Sequence, residues 1–598
     1  MAFVVRKPGQ DDLSEEELRG YVEEMASKQP QIHKYSVEIA LPTESNIYDV
    51  VEKGLKEHAN KKVLINGVTQ ESLTGQKILD LTTQLSNGLR KRGFQKGDTL
   101  CICLQNDLYY PVLLLAAFRN GGIATTANPG LTADELKKQL RDSRPKFLFY
   151  SDVSATAAQE ALKELDFIEE SFHVMKSADS TTAVKDLLKD LDFIQESFLV
   201  MKSADGRHQF DALFQEGTEG SGETSLADYV DSLPVAVGQS DIAVLPYSSG
   251  TTGLPKGVQL SHRSIVFAIA ANKHPEILGL KADDVALAFL PFFHIFGCVF
   301  LLTYLSGGCT QVLMPKFNFG QFLTIIQEFK VTSLPIVPPI AVALVQQPIV
   351  RKFDLSSIKL VIVGAAPLSE VLESKLGEII PGADICHGYG LTEAPMGTHV
   401  TPKGRNKPGS CGTVGPFYES KVVDDSGNLL PAGEHGNICV RGPQTMSGYL
   451  GCPGETAAIL DKDGWLYTGD IGYYDEEGFY FIVDRAKELI KWKGFQVAPA
   501  ELESLLLQHP KVLDVAVVGL PDERAGELPM AFVVKKPGHD DLSEEELRGY
   551  VEAHAADHKR LRGGVRFVDA IPKSESGKIL RRILKKQLLD SLKGESSN

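Results

Sequence analysis

Short apolar runs with no alternation constrain this chain more than any other feature: "KFLFYSD" from 146, "IAVLPYS" from 242, "SLPIVPP" from 333 and "KLVIVGAAPLS" from 359. Each is stopped by Gly, Pro or Ser. A strand with one wet face alternates apolar and polar residues. A run that is apolar on both sides belongs to a sheet covered on both faces, as parallel sheets are. Helical patterns lie between them, "IYDVVEKGLKEHA" from 47 and "TGQKILDLTTQLSNGLRKRG" from 74, the second ending on glycine. "KVLINGV" from 62 reads as a further strand. The fold class over 45–484 is therefore α/β.

With 598 residues the chain is too long for one core, so at least two domains are expected. Near 480 the character changes. "FYFIVDRAKELIKWKGFQVAPAELESLLLQHPKV" passes from a strand through a basic turn to a helix that starts acidic. A compact strand–helix unit comes after that helix and ends in "GKILRRILKKQLL". We place a boundary at Asp484, with a large domain over 30–484 and an α+β C-terminal domain over 485–598.

A net charge of −16 argues against a general nucleic-acid or anionic-membrane surface, which needs surplus Lys and Arg. The 8 cysteines have no zinc-site spacing and read as reduced thiols. Cys101 and Cys103 sit in "TLCICL", a buried strand. No signal-like segment opens the chain. The apolar "CVFLLTYL" stops at Gly307 and Gly308, too short to span a bilayer. The expectation is a soluble protein of the cytoplasm.

Two internal repeats stand out. "MAFVVRKPGQDDLSEEELRGYVEE" opens the chain and recurs from Met530, changed only at Arg6/Lys535, Gln10/His539 and Glu24/Ala553. Each copy reads as strand, turn and helix, with Ser14 and Glu17, or Ser543 and Glu546, as capping boxes. Leu13 with Leu18, and Leu542 with Leu547, are candidate hydrophobic staples. The second copy has candidate sheet neighbours, "VLDVAVVGL" and "GGVRFVDAI". The first is followed by polar sequence, so 1–29 is expected to be a weakly packed appendage. A tandem unit, "LDFIEESFHVMKSAD" and "LDFIQESFLVMKSAD", fills 165–205 and reads as a surface-loop insertion. The surface-loop insertion is the preferred reading of the tandem unit; the other origin open to both repeats is a gene-model or exon-duplication artefact, which a message lacking either copy would confirm.

"YSSGTTGLPKG" at 247–257 follows the apolar "IAVLP" and precedes the strand-like "GVQLSH". Its glycines let backbone N–H groups converge on an anion, its hydroxyls add donors, and Lys256 adds charge. A polar glycine loop at the end of a buried strand is a favoured ligand position. It is not a P-loop, because Gly257 follows Lys256 where Ser or Thr is required.

This stretch resembles the AMP-binding signature of the acyl-adenylate-forming superfamily, which includes acyl-CoA synthetases, 4-coumarate:CoA ligases, beetle luciferases and peptide-synthetase adenylation domains. The likeness continues in family order with "HGYGLTEA" (387–394), "GNICVRGPQTMSGYL" (436–450), "GWLYTGD" (464–470), "DRAKELIKWKGFQVAPAELE" (484–503) and "PKSESGKILRR" (572–582). It looks nearest to 4-coumarate ligases and beetle luciferases. The resemblance implies a large N-terminal domain of stacked mixed sheets flanked by helices, with a small mobile C-terminal lid. It implies ATP, Mg²⁺ and coenzyme A, and a reaction from carboxylate through acyl-AMP to acyl-CoA, releasing AMP and pyrophosphate.

Carried over residue by residue, the resemblance gives Ser248, Ser249, Gly250, Thr251, Thr252, Gly253 and Lys256 the β- and γ-phosphates. Glu393 would bind Mg²⁺, with Thr392 near the α-phosphate. Tyr389, between Gly388 and Gly390, would stack on adenine, with Ala365, Ala366 and Pro367 opposite. Asp470 would accept the ribose hydroxyls, braced by Arg485. Lys578 would serve adenylation. Lys487 stands at the hinge, and Lys491, Lys493, Gly494 and Gln496 would take over for CoA after domain rotation.

"PFFHIFG" (291–297) resembles the motif carrying the pocket histidine, His294. The acid pocket would include Phe292, Phe293, Phe296 and Gly364. "PMGTHV" after "LTEA" departs from the plant ligases, leaving a fatty acid or an aryl acid as substrate. The alternatives are a luciferase-like monooxygenase and a non-enzymatic scaffold that kept the fold. A monomer or weak homodimer is expected. "GESSN" lacks a peroxisomal ending.

Overall fold

The computed structural model describes residues 30–37, 39–44, 46–174, 235–248, 255–493, 495–522, 524–573 and 579–595, with backbone alone for 496 and 589–595. The first copy of the long repeat and the second unit of the tandem repeat lie outside these residues.

The apolar runs pair in parallel, as their two-faced apolarity requires. In one sheet Ile242–Ser248, Ile123–Thr126, Thr99–Cys103, Phe147–Ser151 and Glu170–Val174 lie side by side. Leu100, Cys101, Ile102 and Cys103 are all buried, so neither face of that strand is wet. Lys256–Ser261 closes one edge antiparallel to Ile242–Ser248, with Lys256 directly opposite Ser248.

A second, nine-stranded sheet carries Asp384–Tyr389, Leu360–Val363, Ser333–Ile336, Val285–Ala288, Thr310–Leu313 and Lys62–Asn66 as its parallel centre. Ile47–Glu57 starts at the cap Asn46, whose side chain accepts the Asp49 N–H. Gly75–Lys91 starts at Thr74 in the same way. The apolar "CVFLLTYL" forms part of the helix Ile295–Ser306, buried all round between Ile47–Glu57 and His262–Lys273. Among the described residues no helix is long and apolar enough to cross a membrane.

The sequence pattern does not show a third sheet that the structure contains. His33–Lys34, Glu419–Val423, Gly436–Arg441, Leu466–Tyr474 and Tyr480–Arg485 form an antiparallel sheet. Its signal is broken where Gly469 and Gly472 interrupt "LYTGDIGYY". A turn at Asp475–Gly478, with Gly478 at φ +79°, joins its last two strands.

That sheet ends at Arg485, and the C-terminal sheet begins with Ile490–Trp492. There Gly526–Lys535 is the central strand, antiparallel to Val512–Asp522 and parallel to Gly564–Phe567. These are the neighbours expected for the second repeat copy. Its helix Glu544–His554 is capped by Ser543, which accepts the Glu546 N–H at 3.1 Å. Leu542 and Leu547 are both buried in the domain's own core.

Candidate active site

A cleft of about 1110 Å³ opens between the large domain and the C-terminal domain. Its large-domain wall lies where strands of the nine-stranded sheet end, the usual ligand position in an open parallel sheet. Leu360–Val363 runs out into Gly364, Ala365 and Ala366; Asp384–Tyr389 ends on Tyr389. Ala365 sits at φ +73°, a left-handed conformation that a residue with a Cβ adopts only under constraint. A Cβ on Gly364 would approach Phe296 Cζ to 3.2 Å, so this turn is tightly enclosed.

Tyr389, Asp470 and Arg485 meet at the cleft wall. The Tyr389 hydroxyl donates to Asp470 Oδ2 at 2.5 Å. Asp470 faces Arg485 across the antiparallel pair, with Arg485 Nε 3.5 Å from Oδ1. Burial, then the Asp470 charge, pushes the Tyr389 phenol well up, so it remains a donor. Thr398 donates to the Tyr389 carbonyl at 3.1 Å, anchoring the strand end.

The cleft lining reaches Leu391, and Thr392 and Glu393 continue the same turn. Glu393 Oε1 accepts the Tyr449 hydroxyl at 2.8 Å. The Tyr449 ring lies 5.0 Å from the ammonium of Lys256, which also pairs with Glu455. Lys256 and Glu393 thus come together through a tyrosine that sequence reasoning does not single out. Its only sequence signal is membership of "GNICVRGPQTMSGYL". Ser249, Gly250, Thr251, Thr252 and Gly253 lie outside the described residues, as do Gly494 and Lys578; for Gln496 only the backbone is described.

The pocket residues divide. Phe296 packs against Phe300, ring centroids 5.1 Å apart, and borders Gly364. Phe292 is 2% exposed and packs edge-on against Tyr110, a core placement. His294 is the N-cap of Ile295–Ser306, its Nδ1 accepting the Phe296 N–H at 3.3 Å. The Phe293 carbonyl accepts the Thr126 hydroxyl at 2.7 Å.

From the C-terminal domain, Asp514, Lys573, Ile579 and Arg581 line the cleft. Lys573 and Ile579 bridge antiparallel on either side of 574–578, and Lys573 holds both Asp514 oxygens at 2.8 and 2.7 Å. Lys491, in Ile490–Trp492, and Lys493, just after it, are exposed and do not line the cleft, and Lys487 is exposed. Sequence reasoning also misses the group around Arg581. Its guanidinium forks onto both Glu503 oxygens at 2.9 and 2.7 Å and pairs with Glu488. Asp484 accepts the Ala500 N–H at 2.9 Å, tying the last large-domain strand to the small domain's first helix.

The AMP-binding enzyme family matches residues 51–450, and the AMP-binding enzyme C-terminal domain matches 501–578. The chain belongs to the AMP-binding enzyme family. It is similar to 4-coumarate–CoA ligase 1 of Petroselinum crispum, 39% identical over 562 residues, covering 92% of this chain and 95% of that one. 4-Coumarate–CoA ligase 1 of Arabidopsis thaliana is 39% identical over 564 residues, covering 93% and 95%. The fold superposes on an anthranilate CoA ligase in complex with anthranoyl-AMP at TM-score 0.79, with 26% identity and coverage of 92% and 98%. ATP-bound MatB from Rhodopseudomonas palustris gives 0.76, with 26% identity and coverage of 91% and 99%. The expected membership of the adenylate-forming enzymes is thereby met.

Proposed function

We propose that this AMP-binding enzyme is an ATP-dependent acid–thiol ligase. A carboxylate oxygen attacks the α-phosphorus of ATP, the bond to the β-phosphate bridging oxygen breaks, and pyrophosphate leaves. The sulfur of CoA then attacks the acyl carbon, and AMP departs with the bonding electrons. The observation that carries the reading is the Tyr389–Asp470–Arg485 set facing, across one cleft, the small-domain segment that flanks Lys578.

In this reading the Tyr389 ring packs on adenine against Ala365 and Pro367, while Asp470 accepts the ribose hydroxyls. Charge spreads over the phosphate oxygens in the transition state, so aimed cations and N–H donors lower the barrier most. Lys256 and the glycine loop supply them at the polyphosphate, and Lys578 at the α-phosphate and carboxylate. Glu393 fits Mg²⁺: it is a hard oxygen donor, and among the described residues its second oxygen makes no hydrogen bond. No group of three metal-ligating side chains occurs among the described residues, so the phosphates would complete such an ion's shell, as Mg²⁺ prefers. Bound there, Mg²⁺ would neutralise polyphosphate charge.

The arrangement described suits the first half-reaction, because Lys573 and Ile579 line the cleft while Lys491 and Lys493 do not. Rotation about Lys487 would exchange these two faces for the second. An aryl acid is the favoured substrate class, since the similar enzymes include 4-coumarate CoA ligases at 39% identity, against 26% for a fatty acyl CoA synthetase. The acid would lie near Phe296 and Gly364. An oxygenase draws no support from these relatives. The test is a panel of aryl and fatty acids with ATP, Mg²⁺ and CoA, measuring AMP and thioester. Acid-dependent formation of both in equal amounts is expected. AMP formation without thioester from any acid would refute the ligase.

A further inference from the structure

The ligase reading gives Lys256 and Glu393 the polyphosphate end of the nucleotide, yet it leaves open what aims them. Tyr449 lies between the two. Its ring faces the Lys256 ammonium at 5.0 Å and its hydroxyl donates to Glu393 Oε1 at 2.8 Å. The backbone around it is tied to the same two elements. Tyr449 pairs with Val258 on the strand that Lys256 begins, and the Leu450 N–H donates to Gly257 O at 2.9 Å. On the other side the Met446 N–H donates to the Glu393 carbonyl at 2.8 Å. Segment 446–450 is thus bonded to the lysine strand and to the glutamate turn, with Tyr449 only 8% exposed.

We propose that Tyr449 is the positioning residue of the polyphosphate end: its hydroxyl holds Glu393 and its ring holds Lys256, so both are aimed before the nucleotide arrives. This rests on the ligase reading. A phenol donating to a carboxylate fixes one oxygen and leaves the other turned outward, while a ring face attracts an ammonium without neutralising it. Glu455, which pairs with Lys256 from its own helix, is half exposed, so a polyphosphate can displace it while the ring contact persists. Donors held in place beforehand need no reorganisation as charge develops.

The two contacts separate by substitution. Tyr449→Phe keeps the ring and removes the hydroxyl; Tyr449→Leu removes both. ATP binding is measured by isothermal titration calorimetry without acid, with and without Mg²⁺, alongside KM for ATP and for the acid. For Tyr449→Phe the expected result is affinity lower by on the order of tenfold with Mg²⁺ and within about twofold of wild type without it, the loss of one hydrogen bond to a charged group. KM for the acid stays within about twofold, and in a Glu393→Gln background the same change adds no further loss. Tyr449→Leu weakens binding under both conditions. The proposal is overturned if Tyr449→Phe matches wild type, if its loss is equal with and without Mg²⁺, or if that loss persists in the Glu393→Gln background. A wild-type protein that binds no ATP would overturn the ligase reading, and this proposal with it.

Discussion

Arg581→Met is the sharpest probe of how the small domain is held together. Arg581 neutralises Glu503, which is 7% exposed, through two hydrogen bonds, and also pairs with Glu488. Burial pushes the Glu503 carboxyl up, and Arg581 opposes that push. Removing the guanidinium leaves a buried carboxylate with the Val517 N–H as its one remaining described donor, at 2.8 Å. Deleting one partner of a buried pair costs about 3–5 kcal/mol, and the surviving bond argues for about 3. In a domain of this size that lowers Tm by roughly 12–24 °C. The cost depends on pH. A carboxyl whose folded pKa lies above its unfolded value contributes stability below the unfolded pKa and loses it as pH rises through the folded one. Without Arg581 the folded value rises further, so the deficit must be larger at pH 8 than at pH 5. The chain has 2 tryptophans, and Trp492 lies in the small domain under the Arg562 guanidinium, 4.3 Å from its ring. Urea unfolding followed by Trp492 fluorescence in a Trp465→Phe background reads this domain. A loss under about 1 kcal/mol, or an equal loss at both pH values, would refute the reasoning.

Tyr389→Phe keeps the ring and removes the donor to Asp470, so KM for ATP should rise about tenfold, the value of a hydrogen bond to a charged group. The preference for ATP over 2′-deoxy-ATP should shrink with it, measured as the ratio of the two kcat/KM values. Burial pushes the His262 imidazole down to about 4 from 6.5, and its Nδ1 accepts the Ile47 N–H at 3.2 Å. The unfolded chain binds that proton first, so stability is full above pH 6.5 and falls toward pH 4, by about 3 kcal/mol at most. His262→Gln should flatten the pH dependence of urea midpoints across that window. Lys578→Ala should slow acyl-AMP formation by about 10²-fold or more, while thioester formation from supplied acyl-AMP persists. Single-turnover assays of each half-reaction check this.

Local patterns make the parallel sheets legible. "IAVLPYS" and "KLVIVGAAPLS" carry their burial on both faces, and Asn46 and Thr74 mark helix starts within a few residues. The antiparallel sheet is harder, because Leu466–Tyr474 spends its glycines and polar residues on the site rather than on alternation. Long-range side-chain pairing is not legible at all. Arg581 is 78 residues from Glu503 and 93 from Glu488, and no local period links them. The motif resemblance gives Tyr389 and Asp470 separate roles, yet their direct bond spans 81 residues. Tyr449 looks like a strand aromatic, and only its contacts with Lys256 and Glu393 set it apart. His294 is assigned to the pocket by motif resemblance, and its second place, as the N-cap of Ile295–Ser306, has no signal in the motif.

The central claim is that an acid and ATP react before any thiol is present. Exchange of labelled pyrophosphate into ATP, with acid and Mg²⁺ but no CoA, tests it directly. Rapid label incorporation that requires the acid is predicted. Thioester formation with no such exchange would contradict a reversible acyl-adenylate step and the roles assigned to the cleft.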